Sequence, residues 1–152
     1  MIDHIWTVAC SRAVIDSASN NVSLESVIEQ ITIMAEPAPD AMLPMPLDVM
    51  TLWARSDPNI PSKGRMRLTF VSPSGKGHGH KELDVDLTTV EHYRTLIRFS
   101  GLPLSEPGRH IFRVELQEDP ERGWQPVAAV PLITNFVERL PGEAELNKDQ
   151  QT

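Results

Sequence analysis

The chain has 152 residues, enough for one domain with a substantial core, and its 23% charged and 40% hydrophobic residues suit a folded globular protein. A formal net charge of −7 works against nucleic-acid or anionic-membrane partners, since both need Lys and Arg to neutralise phosphates, and neither is expected. No stretch approaches the roughly 20 apolar residues that span a bilayer, and the opening Met1-Ile2-Asp3-His4 has no leader-like pattern, so a cytoplasmic protein of a prokaryote or its virus is expected.

Residues 2–10 read as a strand with Trp6, Val8 and Cys10 on one face, because strand side chains alternate between faces. Residues 16–23 are rich in Asp, Asn and Ser and form a turn. Residues 24–33 are ambiguous. Leu24, Val27, Ile28 and Ile31 have helical spacing behind a Ser23 cap, yet the β-branched content favours a strand with a bulge. Residues 34–46 carry Pro37, Pro39, Pro44 and Pro46 and should be an irregular loop. A strand follows at 47–55, then a turn at 57–61.

Residues 65–72 and 82–87 alternate apolar and polar, and Pro73-Ser74-Gly75 with Gly77 and Gly79 joins them as a hairpin whose tip carries His78 and His80. Residues 88–92 suggest one helical turn before a strand at 93–99, with Tyr93, Thr95, Ile97 and Phe99 on one side. The Glu106-Pro107-Gly108 turn precedes a strand at 109–117. Residues 124–132 make an edge or bulged strand marked by Pro126 and Pro131. Beyond Leu140 the composition turns polar, which predicts a domain over 1–140 and a flexible tail over 141–152. About eight short strands with no intervening long helices predict an all-β fold. The expected form is an antiparallel two-sheet β-sandwich, immunoglobulin-like or jelly-roll-like.

Signatures of chemistry are few. Cys10 alternates with Trp6 and Val8, as a buried structural thiol would, and no base is placed to activate it. No Gly-x-Ser-x-Gly elbow and no phosphate-binding glycine loop is present. Arg65 with Arg67, and Arg94 with Arg98, fall on solvated outer faces. Asp57, Asp84, Asp86 and Asp119 are too scattered for the six or more oxygens of a calcium site. No cofactor is expected.

His78, His80 and Glu82 have the two-residue spacing that puts strand side chains on one face, and His110 lies in a Pro- and Gly-flanked turn farther on. Together they resemble a degraded form of the cupin pattern, the metal-binding jelly-roll family, which implies a metal held by His78, His80, Glu82 and His110. Glu82 follows His80 more closely than in that family, and Val114 stands where the pattern has a polar residue. His110 also begins the face of Phe112, Val114 and Leu116, where a partly buried, hydrogen-bonded histidine is expected.

The loop Ala41-Met42-Leu43-Pro44-Met45-Pro46-Leu47 is unusually apolar. It either folds over one end of the sandwich or offers a contact surface for another chain. Met42, Leu43, Met45 and Leu47, with Phe136 beyond the last strand, are therefore candidate interaction residues. The Asp-Ser-Ala-Ser-Asn-Asn stretch after Cys10, the Pro107-Gly108-Arg109-His110-Ile111-Phe112 segment and Val130-Pro131-Leu132 resemble a group of small bacterial and phage-borne β-sandwich proteins. That resemblance implies a fold and no activity.

The expected function is a non-enzymatic binding module for a protein partner, reached through a strand edge or the Met/Pro loop. Self-association as a homo-oligomer is also open. The alternatives are a metal-dependent, cupin-like enzyme and a structural subunit of a prokaryotic or phage assembly.

Overall fold

The computed structural model describes residues 1–137, and over that range the alternation becomes nine strands with no helix. They are β1 (Ile2–Ile15), β2 (Val22–Val27), β3 (Gln30–Ile33), β4 (Leu47–Arg55), β5 (Ser62–Val71), β6 (Gly77–Leu87), β7 (His92–Phe99), β8 (Gly108–Gln117) and β9 (Gln125–Phe136). One sheet has the order β2-β1-β4-β7 and the other β3-β9-β8-β5-β6. Every ladder is antiparallel except β3 against β9. The protein is an all-β, two-sheet sandwich. The polar segment 141–152 lies outside the described residues.

The inner faces carry the predicted alternation. Val49, Trp53 and Ile97 from the four-stranded sheet meet Met66, Leu68, Phe70, Val85, Phe112, Val114 and Leu132 from the five-stranded one. Polar atoms drawn into this layer are mostly paired, as burial requires, with His110 Nε2 the exception among the described residues. Trp53 Nε1 donates to Thr95 Oγ1 at 3.0 Å, and His4, Thr7 and Thr51 form a side-chain chain at 2.7 and 2.9 Å.

Several sequence expectations need correction. Residues 24–33 are two strands in different sheets, because the chain crosses the sandwich at Ile28–Glu29. Residues 88–91 form a bend and His92 already begins β7, so the expected helical turn is absent. Trp6, Val8 and Cys10 do share a face, but they belong to a second cluster, with Met50 and Leu96, apart from the main core between the sheets. Trp124 also faces outward, and the Arg67 guanidinium lies 4.5 Å from its ring centroid.

The second cluster follows from the path of β1. Its pairing with β4 ends at Cys10↔Asp48, while pairing with β2 runs from Cys10↔Val27 to Ile15↔Val22. Past Cys10 the strand parts from β4 and continues with β2 alone as a two-stranded hairpin. That hairpin curls over the outer face of its own sheet: Arg94 on β7, at the opposite edge, donates to Asn20 at the hairpin tip. Cys10 and Met50 are buried beneath it, and the Asp48 carboxylate accepts from the Ala13 amide at 2.9 Å where the strand departs. Burial, and secondarily the Asp48 charge, pushes the Cys10 thiol up, so it stays protonated and unreactive.

Candidate interaction surface

Because β2 covers only the far half of β1, the near half has one side without a strand among the described residues. Backbone direction locates the opening. The Ala9 carbonyl accepts from the Ile28 amide, so the peptide groups of Ala9 point away from β4. Alternation then points those of Thr7 the same way, while Trp6 and Val8 face β4 opposite Leu52 and Met50. Ile5 is the extra residue of a β-bulge between His4 and Trp6 and is 48% exposed.

Beside this edge runs a groove of about 430 Å³ between β1 and β9, lined by Thr7, Val8, Val27, Ile28, Val130 and Ile133 among others. Its walls are mostly aliphatic. Val27 and Ile133 are 55% and 37% exposed, although a solvated strand position ordinarily takes a polar residue. Glu29 is its one charged lining residue. β9 borders the other side, and Pro131 removes an amide from that edge. β1 carries no proline.

The Met/Pro loop is arranged differently. Leu43 forms a bridge with Leu102, its amide donating to the Leu102 carbonyl at 2.8 Å, and with Met45 it packs against the main core. Leu47 is 1% exposed within β4 and is core, so it offers no contact surface. Met42 alone of the loop candidates is strongly exposed. Phe136 is half-buried on β9 opposite Ile33. Of the two readings of this loop, the geometry is that of a cover over the end of the sandwich.

The four candidate ligands do not converge. His78 and His80 stand in β6 rather than on the hairpin tip, which is the turn around Ser74 and Gly75. Gly79 lies between them at φ +64°, inside a bulge where Thr69 pairs His80 and Val71 pairs Gly77. The extra residue sends two side chains that alternation would put together to opposite faces. His78 turns inward against Phe70 and hydrogen-bonds Ser72 Oγ. His80 turns outward to Glu82, 3.4 Å away. His110 is fully buried on the other side of Phe70, stacked on it with centroids 5.2 Å apart. No group of three His, Cys, Asp or Glu side chains able to hold a metal occurs among the described residues. Gly79 was the signal in the sequence that the two histidines part company.

The outer face of the five-stranded sheet carries a set of ion pairs, in which Asp84 also approaches Arg65 at 3.9 Å. Arg65 pairs with Glu82, Arg67 with Glu115 at 2.9 Å, and Arg113 with Glu115 at 3.7 Å. These arginines are thereby neutralised and make no basic patch. Among the described residues no helix is long and apolar enough to cross a membrane.

A nine-stranded sandwich with a half-covered strand edge is the class of protein these features define. No protein-family model and no curated protein matches the chain. Several solved structures align with the chain at low identity. An immunoglobulin-like protein from Pseudomonas aeruginosa aligns over 89% of this chain and 97% of its own at 10% identity and a TM-score of 0.41. A β-glucosidase from Listeria innocua in complex with glucose aligns over 72% of this chain and 15% of its own at 12% identity, also with a TM-score of 0.41. A family 123 glycoside hydrolase from Clostridium perfringens aligns over 79% and 25% at 11% identity and the same score. The chain thus spans a small part of either hydrolase.

Proposed function

We propose that the protein is a non-enzymatic interaction module that takes an extended segment of a partner protein along the open edge of β1. One observation carries the reading: the Thr7 peptide groups face away from β4, with no strand beside them among the described residues, next to an aliphatic groove. A segment laid there gains main-chain hydrogen bonds from β1 and buries alternate side chains against Val27, Val130 and Ile133. Glu29, the groove's one charged lining residue, sets the charge preference, so the partner segment alternates apolar residues and carries a basic residue at one end. The module works in the cytoplasm, where the lone Cys10 thiol is kept reduced.

A displayed library of random peptides of about eight residues, the length of an ordinary strand, tests this. Alternating apolar peptides with a basic end are expected to be enriched, and to lose binding to Val27→Lys and Ile133→Lys. Both changes sit at exposed positions and alter stability by no more than about 0.5 kcal/mol. Ile60→Lys, equally exposed outside the groove, is expected to bind as the parent does. Selected peptides indifferent to Val27→Lys and Ile133→Lys, or no enrichment at all, would overturn the proposal.

A further inference from the structure

The curl of the β1–β2 hairpin creates a second recess, on the outer face of the four-stranded sheet. It is a cleft of about 350 Å³ lined by Trp6, Asn20, Asn21, Leu52, His92 and Arg94 among others, a size that suits a small molecule. Trp6 and Leu52 face each other across β1 and β4 and supply apolar surface. Apart from Val22 the remaining lining is polar, and it contains no carboxylate.

Arg94 gives the cleft its character. Its Nη2 donates to the backbone oxygen of Asn20 at 2.6 Å and to Asn20 Oδ1 at 2.9 Å, which clasps the hairpin tip to β7. Asn20 holds the left-handed conformation, φ +57°, that lets the tip present both oxygens. Both of these acceptors are neutral. Arg65, Arg67, Arg98, Arg113 and Arg122 each face an Asp or Glu, whereas Arg94, like Arg12, Arg55 and Arg109, has no ion pair among the described residues. Arg94 is thus a guanidinium without an ion pair, half-buried in a cleft it shares with the Trp6 indole, in a protein of net charge −7. Both Nη2 hydrogens are taken by Asn20, which leaves the Nε and Nη1 groups to give a carboxylate single charge-assisted hydrogen bonds, and an indole takes the face of a ring.

We propose that this cleft binds a small molecule bearing a carboxylate on a six-membered ring. The carboxylate pairs with Arg94, the ring lies against Trp6, and Asn21 and His92 supply hydrogen bonds to ring substituents. Two sources share that chemistry, an acidic sugar and an aromatic acid. The site is separate from the β1 edge, so its fate and that of the peptide groove are independent.

The test is a titration of the full chain with glucuronate, benzoate and glucose, followed by the Trp6 indole N–H resonance. At least one of the two acids is expected to shift that resonance, and whichever binds tighter identifies the source. Glucose, which lacks the anion, is expected to leave the resonance in place. Arg94→Gln is expected to weaken binding by about tenfold or more, the usual worth of a charge-assisted hydrogen bond. Asn20→Gly keeps the left-handed turn and the guanidinium while loosening the clasp, and is expected to retain binding. The proposal fails if neither acid moves Trp6, if glucose binds as well as the acids, or if Arg94→Gln binds unchanged. It also fails if Asn20→Gly abolishes binding as fully as Arg94→Gln, which would make Arg94 a clasp and nothing more.

Discussion

His110 shows how a residue type suggestive of chemistry is absorbed by packing. It stacks on Phe70, reaches Thr134 Oγ1 through Nδ1 at 3.3 Å, and leaves Nε2 without a protein partner. Burial holds its pKa below the ordinary value, outweighing the opposing pull of the Gly108 backbone and the Glu106 carboxylate. His4, also lowered by burial, acts in the same direction. The folded chain therefore keeps both imidazoles neutral where the unfolded chain takes up protons. Their stabilisation is complete above about pH 6.5 and is lost as pH falls from there toward the folded-state pKa. Urea midpoints measured from pH 7.5 to 5 should fall for the parent and fall less for His110→Leu. Parallel curves would show that His110 does not carry the effect. Asp16 has its pKa lowered by the Ala18 amide and then the Ser19 hydroxyl, Asp86 by Thr88 and Glu106 by Ser74, so their contributions fade only in the carboxylate range, below this window.

Among the elements, β1 decides most. It is one continuous strand that belongs to a sheet for its first half and to a curled hairpin for its second. Asp48 pins the branch point, accepting from the Ala13 amide while Arg98 approaches its other oxygen at 3.5 Å. Asp48→Ala leaves a buried amide unpaired and should cost about 1–3 kcal/mol. Amide exchange over residues 11–15 should quicken more than over β5, whereas a uniform change across the molecule would mean that Asp48 is not a local pin. The branch was not legible in the sequence, since Trp6, Val8 and Cys10 alternate as any core-facing strand would. Only contact with distant Met50 and Leu96 reveals which face they occupy. The split of residues 24–33 was hidden for a related reason: the crossing residue Ile28 packs against the core, so no polar loop interrupts the apolar run. The strands β5, β7 and β8 were legible nearly to their ends, because each has a more buried and a more exposed face, whereas β4, buried on both faces, was legible from its apolar run and the turn residues at both boundaries.

At the scale of the molecule, the sandwich keeps its chemistry-bearing residues apart and leaves two recesses bordered by β1, one aliphatic and one cationic. Neither was visible in the sequence, because each is lined by segments distant along the chain: β1 with the β2–β3 crossing and β9 for one, β1 with the hairpin tip, β4 and β7 for the other. What was visible was the apolar 41–47 loop, whose hydrophobicity went into capping the core. The most direct measurement is residue-resolved hydrogen exchange of the chain alone. If β1 has an open edge, the amides of Trp6 and Val8, which face β4, exchange slowly, while the Thr7 amide between them exchanges fast. A Thr7 amide as protected as that of Val8 would contradict the account, because the edge would then already be occupied.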